Sequence, residues 1–120
     1  MSTSGQDEAR ERLTALRAAA TARLAALDRS FADVVAGAEG ANTDDEHDPE
    51  GATIGFERAQ VAALVARAEA ALREVDAALA RLDAGTYGVC ERCGRALPAG
   101  RLAARPTAAT CVGCAPTARR

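Results

Sequence analysis

The sequence predicts an all-α fold, a long antiparallel coiled-coil hairpin followed by a small C-terminal module built on four cysteines. Three observations lead there. Alanine supplies 32 of the 120 residues, so a nominal hydrophobic content of 48% hides only 26 other apolar residues. That is too few for a thick core, whereas alanine is the strongest helix former and suits helices meeting along a narrow seam. Two segments repeat apolar residues every three or four positions, and all four cysteines fall in the last quarter of the chain. With no Trp, one Tyr and two Phe, the composition argues against a β-sandwich or barrel.

The first helix is read from Leu13, Leu16, Ala20, Leu24, Leu27, Phe31 and Val34, and the second from Val61, Val65, Ala68, Leu72, Val75, Leu79 and Leu82. Both series average 3.5 residues per step, the heptad period of a left-handed coiled coil. Arg67, Arg73, Glu74 and Arg81 occupy other faces, so neither helix is wholly buried. Residues 38 to 47 carry no apolar period and hold Gly and Asn, which ends the first helix near Gly37 to Gly40. Asp48-Pro49-Glu50 is a good start for the second: Asp as N-cap, Pro at the first helical position, Glu near the positive end of the dipole. Gly51 and Gly55 cost about 1 kcal/mol each relative to Ala, so the first turns are weak. Gly85 closes the second helix as a left-handed cap. Helices of ~30 and ~36 residues at 1.5 Å per residue give a hairpin ~45 to 50 Å long. Residues 1–85 are thus expected to form the hairpin, with an acidic tip at 38–56, and residues 86–120 the cysteine module.

Charge is unevenly spread around a net −2. Residues 38 to 60 hold seven acids against Arg58 alone, while residues 86 to 120 hold six arginines against Glu91. The middle is acidic and the tail basic. All fifteen basic residues are Arg. There is no run of 18 apolar residues, and the N-terminus lacks the basic start and apolar stretch of a signal peptide, so a cytoplasmic protein is expected.

The cysteines read Cys90-x2-Cys93, seventeen residues, then Cys111-x2-Cys114. Two residues between thiolates let both sulfurs reach one tetrahedral Zn2+ at ~2.3 Å, and two such turns complete a closed four-sulfur shell. Gly94 and Gly113 are expected to permit the tight turns. Disulfides and a redox dithiol pair are weaker readings, because the compartment reads as reducing and no thioredoxin-like βαβ pattern surrounds either pair. One structural zinc ion follows, with no open position for a water. The apolar content of the module (Tyr87, Val89, Leu97, Leu102, Val112) is too small to fold it, so the metal must supply much of the folding free energy. His47 is the only histidine. With no nucleophile and base pair and no phosphate loop, an enzyme is not expected.

Asp83-Ala-Gly-Thr-Tyr-Gly-Val-Cys90-Glu-Arg-Cys93-Gly, Arg101-Leu-Ala-Ala-Arg105-Pro-Thr-Ala and Cys111-Val-Gly-Cys114 together resemble the DksA/TraR family of zinc-finger transcription factors. The resemblance implies a protein that binds RNA polymerase, passing its coiled-coil tip through the secondary channel toward the catalytic centre while the zinc module stays at the rim. Family members alter promoter-complex lifetime, often together with the alarmone ppGpp. Their tip motif, Asp-x-x-Asp-x-Ala, falls on His47, Glu50 and Ala52 by counting back from Cys90. Shifting the frame to Asp45 and Asp48 restores two Asp but puts Glu50 in the place of Ala. The unshifted frame is preferred, because an uninterrupted helix from Pro49 to Cys90 leaves no room for the slip. Asp45, His47, Asp48, Glu50 and Ala52 are therefore the candidate tip residues. Arg105 matches a family Arg in the zinc module, and Arg67 and Arg101 join it as candidate contacts to nucleotide or polymerase. Glu74 and Ala115 stand where well-studied members carry basic residues, which weighs against ppGpp.

The expected function is a monomeric, non-enzymatic regulator of RNA polymerase, with no membrane and no sequence-specific DNA partner. Two other classes compete. A DNA-binding zinc finger is suggested by Arg92, Arg95, Arg101, Arg105, Arg119 and Arg120, but the second helix has no basic run for a groove and the acidic tip is repelled by phosphate. A thiol-based redox or zinc-release sensor would use the same four cysteines.

Overall fold

The structure, a computed structural model, describes residues 3–41 and 49–115, with side chains over 3–37 and 53–115. Three helices account for most of it: α1 (Thr3–Ala41), α2 (Pro49–Ala84) and α3 (Ala99–Ala104). No strand is formed among the described residues beyond one isolated antiparallel bridge, Val89 with Ala96. The all-α expectation holds. The first helix starts ten residues before Leu13 and runs through Gly37 and Gly40 to Ala41, past its expected end. A lone glycine costs a helix only ~1 kcal/mol, and the surrounding alanines favour continuing. Pro49 opens α2 as expected, where its missing N–H is no loss; the N-cap assigned to Asp48 lies outside the described residues. At the other end α2 stops at Ala84, so the uninterrupted helix to Cys90 expected for the tip frame is not formed; Gly85 has φ +80°. The Thr86 N–H reaches the Arg81 carbonyl at 2.9 Å and the Gly85 N–H the Leu82 carbonyl at 3.2 Å, the paired bonds of a Schellman cap.

The chain divides into two compact units, residues 19–72 and residues 1–18 with 73–120. Within 19–72, Ala20 and Ala68 are buried, and Leu24, Leu27, Phe31, Val34, Val61, Val65 and Leu72 are half-buried. These are the heptad positions. Off the seam, Phe56 is 66% exposed and Leu64 is exposed too.

In the other unit one core joins the helix ends to the cysteine module: Ala9, Leu13, Val75, Ala78, Leu82, Tyr87, Cys90, Leu97, Leu102 and Ala108 are all buried together. Two ion pairs link α1 to α2, Arg10 with Asp83 and Arg17 with Asp76, each at 2.7 Å. The partners are seven residues apart on each helix and run in opposite directions, so they mark an antiparallel heptad register. Being exposed, each pair is worth about 0–1 kcal/mol and matters more for register than for stability. Leu16, although on the heptad series, is exposed. Among the described residues no helix is long and apolar enough to cross a membrane.

Candidate metal centre

The first cysteine pair sits on a short hairpin. Gly88, at φ +85°, turns the chain after Tyr87; the Leu97 N–H returns to the Gly88 carbonyl at 2.7 Å and the Cys90 N–H to the Arg95 carbonyl at 2.8 Å. The turn between them closes through the Gly94 N–H on the Cys90 carbonyl, 2.9 Å. Gly94 has φ +78°, a conformation that costs glycine nothing. The Cys90 sulfur accepts the backbone N–H groups of Arg92 at 3.4 Å and Cys93 at 3.5 Å. Gly113 departs from expectation. It is not among the glycines with positive φ, because the second pair is carried on a helical turn, with the Cys114 and Ala115 N–H groups both on the Cys111 carbonyl.

Three side chains fix the loop that brings Cys111 back. The buried Tyr87 donates its hydroxyl to the Pro106 carbonyl at 2.7 Å. Arg81, in the last turn of α2, reaches the Thr107 and Ala108 carbonyls at 3.3 and 3.5 Å and lies 3.7 Å from the Glu91 carboxylate. Arg101 gives its Nε–H to the Thr110 carbonyl at 2.7 Å, one residue before Cys111. The Glu91 N–H on the Ala109 carbonyl, 2.9 Å, ties the two cysteine turns together. None of these roles was visible in the sequence, where Tyr87 counted as apolar content and Arg101 as a ligand contact; only the presence of a single tyrosine beside the cysteines hinted at one.

The four sulfurs lie within 4.8 Å of one another, with Cys93 and Cys111 at 3.8 Å. A tetrahedral zinc with bonds of ~2.3 Å has sulfur–sulfur edges of ~3.8 Å, so the donor set fits one ion. The protein fills all four positions, which makes the site structural. Their electrostatics also ask for a cation. Backbone N–H donors, that of Cys93 foremost and against the cost of burial, pull Cys90 down to about 6, and the Cys114 N–H does the same in direction for Cys111. Cys114, hydrogen-bonded through its side chain to Cys111 and desolvated, is pushed up to about 12. Sulfurs this close share protons until a metal replaces them.

Beside the centre, Glu74, Arg101, Arg105 and Ala115 line a groove of about 440 Å³. The structure thus brings together two of the three candidate arginines with Glu74 and Ala115. Arg67 is an exposed residue of α2 in the 19–72 unit. Of the tip residues, Asp45, His47 and Asp48 lie outside the described residues; Glu50 and Ala52 fall in the first turns of α2, their side chains outside the description.

The model of the prokaryotic DksA/TraR C4-type zinc finger matches residues 85–120, which contain all four cysteines. Residues 85–120 are a DksA/TraR zinc finger. The likeness extends beyond it in three dimensions: the structure of transcription factor DksA2 from Pseudomonas aeruginosa aligns with a TM-score of 0.79 and 28% identity, covering 92% of this chain and 80% of that one. Curated relatives of this chain include an uncharacterized protein of Aquifex aeolicus, 49% identical over 51 residues, and the uncharacterized protein YteA of Bacillus subtilis, 39% over 66. The RNA polymerase-binding transcription factor DksA of Haemophilus influenzae is 40% identical over 43 residues. The matches cover 42%, 55% and 36% of this chain but only 35%, 28% and 30% of those relatives.

Proposed function

We propose that this DksA/TraR-type chain regulates transcription by binding RNA polymerase, entering the secondary channel with the α1–α2 tip while the zinc module holds the rim. The observation that carries the reading is the fold match to DksA2 over 92% of the chain, which takes in both long helices as well as the finger. A relative that matches over 43 residues is itself named for binding RNA polymerase. The protein acts by occupancy and not by catalysis: the metal centre among the described residues is a closed four-sulfur site, which orders the module and leaves no coordination position for a substrate. Its place of action is then the cytoplasm, and it works as a monomer. Glu74 in the groove with Arg101 and Arg105 opposes a phosphate ligand, which favours action without ppGpp.

The test is co-purification with core RNA polymerase, followed by promoter-complex lifetimes with and without the protein. Binding with an altered lifetime supports the reading. A protein that fails to bind polymerase but binds DNA with steep salt dependence would replace it with a nucleic-acid-binding finger.

A further inference from the structure

One hollow lies apart from the metal centre. Arg12, Ala15, Leu16 and Pro106 line a cavity of about 310 Å³ between α1 and the loop that follows α3. All four residues belong to the same compact unit. Leu16 keeps 41% of its surface open there, whereas Leu13, Val75, Ala78 and Leu82 of the same unit are buried. Both walls are held before anything binds. On the helix side, the ion pairs of Arg10 with Asp83 and Arg17 with Asp76 bracket Arg12 and Leu16 in the sequence of α1. On the loop side, the Pro106 carbonyl accepts the Tyr87 hydroxyl, and the Ala108 N–H meets the Arg105 carbonyl at 2.9 Å, closing a turn around Pro106 and Thr107. A preformed hollow costs little ordering when it is filled.

Arg12 supplies the charge. The ion pairs among the described residues take Arg10, Arg17 and Arg81 and leave Arg12 without a carboxylate. It stands four positions before Leu16 on α1, which sets the two Cβ atoms about 5–6 Å apart. We propose that this hollow docks a polypeptide segment of RNA polymerase carrying one aliphatic or aromatic side chain, seated against Leu16 and Pro106, and one carboxylate, paired with Arg12. The inference deepens the proposed binding to polymerase and rests on it.

The occupant's chemistry follows from the walls. Ligand pockets run from ~300 to 1,000 Å³, and a hollow at the lower end suits one anchoring side chain of a protein partner. A phosphate strand or an anionic membrane fits badly, because Asp7, Glu8 and Glu11 stand in the same stretch of α1 and repel a polyanion. One unpaired guanidinium among acids selects instead a single carboxylate at a fixed distance from an apolar group. On a helix of the partner, that distance separates residues three or four positions apart.

Zinc-loaded protein with a photoreactive phenylalanine analogue in place of Leu16 would be irradiated with core RNA polymerase, and the crosslinked peptides mapped by mass spectrometry. Arg12→Glu and, separately, Leu16→Asp would compete with labelled parent for core polymerase, with urea melts to show that each folds. Both side chains are exposed, and should one variant fail to fold, the other and the crosslink decide. The expected result is a crosslink to a polymerase segment that holds an acid within four residues of an apolar side chain, with affinity lowered about tenfold or more by each variant. Changing that polymerase acid to arginine should restore binding by Arg12→Glu. Crosslinks to a segment without an acid or to a second copy of this chain, or folded variants that compete within about two-fold of the parent, overturn this inference and leave polymerase binding standing. A parent protein that does not bind polymerase overturns both.

Discussion

The Tyr87 hydroxyl donates a 2.7 Å hydrogen bond to the carbonyl of Pro106, joining the first cysteine hairpin to the loop that returns Cys111. The ring is 6% exposed and lies in the same core as Cys90 and Leu82. Tyr87→Phe keeps that packing but leaves the Pro106 carbonyl without this donor, so a loss of about 1 kcal/mol is expected. Urea melts of the zinc-loaded protein read the loss, and zinc stoichiometry should stay unchanged. A melt identical to the parent would mean that water or another donor takes over the carbonyl.

The same tyrosine reports its own burial. Desolvation raises its pKa above 10.0, against smaller lowering by Arg12 and Arg81. The folded value exceeds the unfolded one, so the stability contributed by the neutral phenol is fully present below pH 10 and lost as pH rises through the raised value. Tyr87 is the sole tyrosine, and phenolate absorbance therefore gives a single-site titration. Its midpoint should lie higher in the folded protein than in denaturant; equal midpoints would contradict a buried phenol.

Much of this architecture was legible because it is local. A 3.5-residue apolar period names a helix pair, and indeed Leu13, Ala20, Ala68, Val75 and Leu82 are buried. Pro49 and Gly85 mark helix ends by their own backbone constraints, and two Cys-x2-Cys pairs name a metal. Less local features were not. Leu16 sits on the period yet stays exposed, and period alone does not say which heptad positions find cover. The supports of the centre come from Arg81, Tyr87 and Arg101, whose acceptors are carbonyls nine to 27 residues away; no periodicity records a side chain bonded to backbone. Gly113 shows the converse, a glycine next to a cysteine whose turn needs no positive φ.

Zinc binding should displace protons and strengthen with pH. Near neutrality Cys90, at about 6, is already a thiolate, while Cys114, at about 12, still holds its proton and must give it up to the metal. Apparent affinity should therefore rise with pH between these values and fall more steeply below 6, where Cys90 is protonated too. Calorimetry in buffers of different ionisation enthalpy measures the protons released. Chelating the metal should change the Tyr87 near-ultraviolet signal while most helical circular dichroism remains, because α1 and α2 keep their seam. A pH-independent affinity would contradict thiolate ligation.

Leu13 is fully buried, at 0% exposure, in the core shared by the helix ends and the cysteine module. Leu13→Ala should cost about 2–5 kcal/mol, the usual range for a buried leucine that leaves a cavity. The change should also lower zinc retention under chelator challenge, since that core includes Cys90. A loss below 1 kcal/mol, on the scale of a surface substitution, would mean that the core is not shared.

The tip separates binding from effect, if the proposed docking is right. Residues 42 to 50 contain Asp44, Asp45, Glu46, Asp48 and Glu50 and no large apolar residue, so the double change Asp48→Asn and Glu50→Gln removes charge without removing packing. Its folding cost should stay within about 0.5 kcal/mol, apart from weaker favourable charge at the start of α2. Affinity for polymerase would come from the α1–α2 flanks and the zinc module, and carboxylates brought near a Mg2+-bearing centre would set the outcome. The double variant should compete with the parent for core polymerase within a few-fold, yet lose most of the change in promoter-complex lifetime. Ala52→Leu should behave alike, since the family motif keeps that side chain small. Full regulation by the neutralised tip would reduce these acids to a solubilising turn and a helix cap. Abolished binding would mean instead that the tip is itself the anchor.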